Sequence, residues 1–153
     1  MARGLSANVK TELATGNINP VYLVHLGFAT PIYLTNCGFP LTSSVSGSSV
    51  TYTASGHLRS ITNVSETNQP TKNSLAIQLS AVDQTYSAVV LGENVIGKEV
   101  KIYRGLLDSS NALISDPFLL FYGTIDEYKI VDTTDTANVI INVTSHWATF
   151  DKE

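Results

Sequence analysis

Charge is the scarcest property of this chain. Asp, Glu, Lys and Arg make up 14% of its residues, against roughly 25% in an ordinary soluble domain. The deficit leaves Ser, Thr, Asn and Gly to form the surface, which suits either a secreted protein or a subunit whose faces are covered by neighbours. Net charge is −4 and no run of Lys or Arg occurs, so the electrostatic footprint for gripping nucleic-acid phosphates is missing. Cysteine occurs once, at Cys37, which excludes an internal disulfide and leaves no cysteine partner for a zinc or iron–sulfur site. A free structural thiol is the expected role. No stretch reaches the roughly 18 apolar residues of a membrane span, and residues 2–10 are broken by polar side chains where a signal peptide would be apolar. The sequence therefore predicts a protein made and kept in a cytosol until lysis. Asn63-Val-Ser65 and Asn142-Val-Thr144 then read as chance sequons.

Signatures of catalysis are also scarce. His25, His57 and His146 lie in three separate strand-like segments, none with a second histidine or a carboxylate at chelating spacing, so structural or exposed roles are expected rather than metal ligation. Serine is abundant, yet no Gly-x-Ser-x-Gly elbow marks one as a nucleophile. Asp126 and Glu127, as neighbours on a strand, are expected on opposite faces and unable to act jointly on one substrate. Asp132 and Asp135 read as a hairpin tip bonding local amides. Asp108 and Asp116 lack the alternating oxygen ligands of a calcium loop. Gly92 and Gly97 are too widely spaced for a phosphate loop. Tyr22, Tyr33, Tyr52, Tyr103, Tyr122 and Tyr128 fall within strands, either as packing side chains with hydroxyls at the rim or as platforms for a sugar.

What is present is β patterning. At 153 residues the chain is one domain, 1–153, large enough for a core without metal or disulfide staples. Leu5, Val9 and Leu13 recur at helical spacing, with Ser6 as a cap and Gly16 as a stop, which predicts a short helix over about 5–15. Its apolar stripe needs a partner. Val21-Tyr-Leu-Val-His-Leu-Gly-Phe28 is apolar on both faces, as in a strand covered on both sides. Pro31 to Thr35 follows at hairpin spacing. Residues 36–49 read as a Gly/Ser loop, and Val50 to Ala54 as a short strand. Leu58, Ile61 and Val64 come into phase with a bulge near Ser60. After a turn at 68–73, Leu75, Ile77 and Leu79 share one face of a strand. Val82, Tyr86, Val89 and Val90 predict a second helix over 82–91, capped by Asp83. Three alternating strands, 100–107, 118–130 and 138–144, then close on Ser-His-Trp147. The pattern predicts a mainly β fold, an antiparallel sandwich or barrel with two short helices. Apolar residues persist to the end at Trp147 and Phe150, as if a neighbouring domain or subunit covers them.

The order of these elements resembles the N-terminal domain of tail-tip hub proteins of long-tailed bacteriophages, including lambda-type minor tail protein L and its relatives in gene transfer agents. The resemblance rests on the N-terminal helix, Val21-Tyr-Leu-Val-His-Leu26, Ile32-Tyr-Leu-Thr-Asn36, and Val50-Thr-Tyr-Thr-Ala54 before Ser55-Gly56. It continues through Leu75-Ala-Ile-Gln-Leu79, Ile96-Gly-Lys-Glu-Val-Lys-Ile-Tyr103, Phe121-Tyr-Gly-Thr-Ile125 and Ser145-His-Trp147. It covers nearly the whole chain through order and spacing, each motif being short. Lambda-type relatives carry a cysteine-rich C-terminal segment holding an iron–sulfur cluster. With Cys37 alone, this chain departs from them, and no cofactor is expected.

The resemblance implies a barrel of the phage tail-tube or hub type that forms a ring at the distal end of a tail in the virion, assembled in the host cytoplasm. A trimer is favoured, with a hexamer if the chain is instead the ring joining tube to hub. Implied partners are other copies, a distal tail or tube protein, a central fibre or tip protein and the tape measure, with DNA passing through without sequence-specific contact. A weakly charged lumen suits such passage, because phosphate contacts would stall ejection. Cyclic symmetry requires one face of each subunit to meet a different face of the next. Candidate contact elements are the loop with Phe39 and Leu41, the excursion from Leu107 to Leu113 and Ile114 with Phe118 beyond it, and the segment with Trp147 and Phe150. The competing expectation is a carbohydrate-binding β-sandwich used in host adsorption. An enzyme has no positive motif.

Overall fold

The computed structural model describes residues 6–16, 19–54, 56–62, 73–82, 84–114 and 117–145. Ala7–Thr15 forms α1. The Ser6 hydroxyl accepts from the Val9 N–H at 3.4 Å and so satisfies one of the first-turn donors that a helix leaves unpaired. Gly16, at φ 75°, stops the helix in the left-handed conformation that costs glycine nothing. Both caps are those expected from sequence. Val9 is the buried residue of α1 and Leu13 is half-buried, while Leu5 lies outside the described residues.

Nine strands follow: β1 (Asn19–Leu26), β2 (Ile32–Thr35), β3 (Leu41–Ser43), β4 (Val50–Tyr52), β5 (Leu58–Ile61), β6 (Ser74–Ser80), β7 (Glu99–Leu107), β8 (Phe118–Asp132) and β9 (Ala137–Ser145). Seven of them make one antiparallel sheet in the order β2-β1-β7-β8-β9-β6-β5, and β3-β4 make a second, two-stranded sheet. The long sheet curls into a nearly closed barrel. One core therefore collects inward side chains from both edge strands, Leu34 and Leu58, and from every strand between, with Ile77, Leu79, Ile102, Ile125 and Ile141 almost fully buried. Each such side chain contributes roughly 1.5–3 kcal/mol of burial free energy.

The doubly apolar pattern of β1 has a direct cause. Tyr22, Val24 and Leu26 face the barrel core, whereas Val21 and Leu23 face a second cluster outside the sheet, with Leu41, Tyr52, Tyr103 and Leu107. The cover on that side is the β3-β4 sheet, which corrects the expectation of a featureless loop over 36–49. Only Leu41 announces β3 in sequence. Its pairing is completed in space by Leu41 opposite Tyr52 and by the Thr42 and Thr51 hydroxyls, 3.2 Å apart.

Three bulges set the phase of β5 and β8. The β5-β6 register shifts between Leu58 and Ser60, as the spacing of Leu58 and Ile61 predicts; Val64 lies outside the described residues. Two further bulges are absent from the sequence reading. One leaves Leu120 extra against β7, and the other leaves Asp126 extra against β9. The second corrects the prediction for the acidic pair. Instead of alternating faces, Asp126 and Glu127 are both exposed between the inward Ile125 and Tyr128.

The second helix, α2, spans Thr85–Gly92 rather than 82–91. Gln84 precedes it at φ 60° with no side-chain cap, and Asp83 lies outside the described residues. Tyr86 and Val90 point into the core, but Val82 stands outside the helix and is 71% exposed. Two other predicted features, the turn at 68–72 and the closing residues His146 and Trp147, also lie outside the described residues.

Candidate functional site

The excursion after β7 is a built loop. Asp108 organises it: one carboxylate oxygen accepts from the Ser110 N–H (2.8 Å), the Ser110 hydroxyl (2.7 Å) and the Ala112 N–H (2.9 Å). The Ser110 bond first, then the backbone bond from Ala112, hold the carboxyl below its usual range. Asn111 turns the chain at φ 62°, a conformation Asn tolerates better than most residues. Leu113 then returns as a bridge partner of Leu107, and the Ile114 N–H donates to Leu106 at 2.9 Å. The Leu113 side chain packs closely over residue 105, a glycine. A Cβ there would sit 2.7 Å from Leu113 Cδ1.

Between this excursion and the β3-β4 sheet lies a cavity of about 500 Å³ lined by Thr42, Ser43, Ser44, Val45, Ser49, Leu113 and Pro117. Its walls are hydroxyls and aliphatic carbons, with neither a carboxylate nor a base. On β4, Tyr52 is fully buried, and burial pushes its phenol up to about 12, with the neighbouring Ser46 hydroxyl drawing it partly back. The two hydroxyls adjoin without a well-formed hydrogen bond.

The outward face of the barrel beyond the β3-β4 cover carries a row of side chains in register across four strands, Tyr33, His25, Lys101 and Tyr122. Tyr33 stacks on His25 with ring centroids 4.8 Å apart and planes 14° from parallel, and meets Tyr52 edge-on at 5.4 Å. Glu99 accepts from Lys101 Nζ at 2.8 Å and from the Tyr122 hydroxyl at 3.1 Å. The Lys101 ammonium lies 5.5 Å from the Tyr122 ring centroid. Hydrogen bonding to Lys101 lowers the Glu99 carboxyl and raises the Lys101 amine. Burial, reinforced by Lys101, lowers His25, whose Nδ1 is buried without a hydrogen-bond partner. This row binds its own members. Tyr33 and Tyr122 thus each have a ring partner within the row, His25 and the Lys101 ammonium.

Other candidate chemistry stays dispersed. His57 packs edge-on against Tyr86 at 5.1 Å. Cys37 is a half-buried free thiol whose backbone N–H donates to the Thr35 hydroxyl at 3.2 Å. Among the described residues, no three His, Cys, Asp or Glu side chains come together in a group that could hold a metal.

The predicted contact residues divide by burial. Phe39 is 38% exposed, and Leu113, Ile114 and Phe118 are half-buried. Leu41 and Leu107 are 5% and 3% exposed, so they support the surface from below and present nothing to a partner. The second apolar cluster holds them, because the β3-β4 cover that buries them joins residues distant in sequence. Trp147 and Phe150 lie outside the described residues. Leu119, 48% exposed, lies outside the predicted set. Its side chain would face inward if β8 alternated regularly from Phe121, and the bulge at Leu120 turns it out.

Neither a family model nor a curated protein matches the sequence. The fold itself is shared with a solved structure. A chain in the virion of a native gene transfer agent particle superposes with a TM-score of 0.73 at 12% identity, over 97% of this chain and 47% of that one. This chain thus spans about half the length of the one it matches, and at such identity the likeness establishes the fold.

Proposed function

We propose that the chain is a structural component of a phage or phage-like tail tip, a hub domain that forms a ring between the tail tube and the tip or fibre proteins. The observation that carries this reading is the fold likeness to a virion chain over 97% of the residues. Low charge supports it as well, since faces meant to be covered on assembly need little of it. The ring would present its weakly charged interior to the tape measure and to DNA in transit, with three copies favoured and six fitting a distal tail ring. Of the expected contact residues, Phe39 is exposed and Leu113, Ile114 and Phe118 are half-buried, so these four are the ones that reach the surface. Trp147 and Phe150 remain expected members of the contact region.

The test is twofold. Mass spectrometry of purified particles from cells expressing the chain should find it in the virion. Sizing with mass measurement should give a trimer or hexamer, or a monomer that associates with tail-tube or tip proteins. A chain that stays monomeric, binds a defined glycan saturably and ignores tail proteins would overturn the assembly reading in favour of a carbohydrate-binding module.

A further inference from the structure

The cavity between the β3-β4 sheet and the excursion after β7 combines hydroxyls with aliphatic carbon. Its volume of about 500 Å³ falls in the range of small-molecule sites, roughly 300–1,000 Å³. Thr42, Ser43, Ser44 and Ser49 bring hydroxyls to its wall, and Val45 and Leu113 bring methyl groups. A Ser or Thr hydroxyl offers one donor and two acceptor positions, and these four leave most of theirs open. Thr42 shares one bond with Thr51 at 3.2 Å, and Ser43 accepts one from the Val45 N–H at 3.3 Å. The Ser44 and Ser49 side chains bond to none of the described residues. In the same loop the Ser46 hydroxyl is buried without a hydrogen-bond partner, so the fold leaves this stretch with polar capacity to spare.

Both walls are held in place. On one side the Leu41–Tyr52, Thr42–Thr51 and Ser43–Val50 pairs fix the strands, and the Gly47 N–H donates to the Ser44 carbonyl at 3.0 Å, with Gly47 at φ 97°. On the other, Asp108 clamps the excursion and Leu113 is bridged to Leu107. A site held this way need not be ordered by its ligand, which favours binding.

The lining selects the ligand by charge and by surface. Among the described residues no charged side chain lines the cavity, so an ion entering it would lose hydration with nothing of opposite sign in return. A wholly apolar ligand would dry the hydroxyls without bonding to them. A sugar unit carries hydroxyls and C–H faces together and has no charge. We propose that this cavity binds a short neutral saccharide, its hydroxyls meeting Ser43, Ser44 and Ser49 and a C–H face lying against Leu113. This goes beyond the assembly role, which neither requires nor excludes it. Thr42, Ser44 and Ser49 are exposed, so the mouth is open to solvent, and neutral hydrogen bonds in such a site give a Kd of about 1 mM. Leu113 also belongs to the expected contact region, so the site is tested in the free chain.

The test follows Val and Leu methyl resonances of the purified full chain by NMR. Glucose, galactose, mannose, N-acetylglucosamine and lactose are each titrated to about 50 mM, well above the expected Kd, with glycerol as control. At least one sugar should shift the Val45 and Leu113 methyls saturably and leave those of the core residues Leu79 and Val139 unmoved. Ser49→Trp, which fills the mouth from an exposed position, should weaken that binding about tenfold or more with the thermal midpoint unchanged; Ser43→Ala should weaken it about threefold or more. No saturable shift with any of the five sugars, equal shifts from glycerol, or unchanged affinity in Ser49→Trp would overturn the site. Presence of the chain in particles is scored separately by mass spectrometry. A chain found in particles that binds no sugar keeps its assembly role and loses this site; a chain absent from particles that binds sugar here keeps the site and loses the role.

Discussion

Two glycines on neighbouring strands should respond very differently to the same added methyl group. Neither Gly105 nor Gly123 has a positive φ, so alanine meets no backbone strain and would by itself stabilise by about 0.4–1 kcal/mol through the unfolded chain. What the methyl meets decides the sign. At Gly105 the nearest atom is Leu113 Cδ1, at 2.7 Å, followed by Val21 Cγ2 at 3.5 Å. The end of a leucine side chain can swing aside, at the expense of its packing against the second cluster. The expected net loss is about 1–2 kcal/mol, the low end of overpacking. At Gly123 the methyl would run into the backbone carbonyl of Thr144 on β9, with Phe121 Cε1 at 2.9 Å. Relief there requires parting β8 from β9 in the middle of the barrel, so a loss of about 3 kcal/mol or more is expected.

For a chain of this size each kcal/mol moves the thermal midpoint by about 2–4 °C. Gly105→Ala should therefore melt a few degrees below the parent, and Gly123→Ala about 10 °C below it or fail to fold. Calorimetry or denaturant titration reads both. Leu113→Ala in the Gly105→Ala background should cost less than the two single changes added together, because the shortened side chain makes room for the new methyl. Equal losses at Gly105 and Gly123, or full additivity with Leu113→Ala, would refute the reasoning.

Four other outcomes are expected. His25 is held below its usual pKa, so the unfolded chain binds its proton first; stability from this group is complete above about pH 6.5 and falls as pH drops toward the folded value. Denaturant midpoints between pH 7.5 and 5 should show that slope, and His25→Phe should flatten it. Ile141→Ala, at a fully buried position in β9, should cost about 2–5 kcal/mol by chemical denaturation. Ser6→Ala should cost about 1 kcal/mol or less, read as faster amide exchange confined to α1. Leu91→Glu, at a position 69% exposed on α2, should leave stability within about 0.5 kcal/mol by chemical denaturation.

Recognition of the elements from sequence followed how local their causes are. The Ser6 and Gly16 caps, the hairpin after β1 and the Leu75, Ile77 and Leu79 face are written in residues a few positions apart, and each is found where the pattern puts it. The β3 strand, the bulges at Leu120 and Asp126 and the late start of α2 leave no such local trace. Each exists because a partner strand or the core selects it. The expected contact residues show the same division. Phe39 and Ile114 were legible as apolar residues in loops, yet burial separates them from Leu41 and Leu107, which look the same in sequence. The exposure of Leu91 was likewise hidden inside an apolar helix, because only packing fixes which face of α2 turns inward.

By itself, then, the sequence determined a weakly charged, mainly β chain with capped helices, and strands whose alternation announces an inside and an outside. Only the tertiary structure decided which outside is covered: the β3-β4 sheet buries Leu41 and Tyr52 over one part of the barrel, while the α2 connection leaves Val82, Leu91 and Ile96 in water. The physical reason is range. Periodicity and capping act over one turn or one strand, whereas burial depends on contacts between residues that the chain brings together only after the sheet has curled.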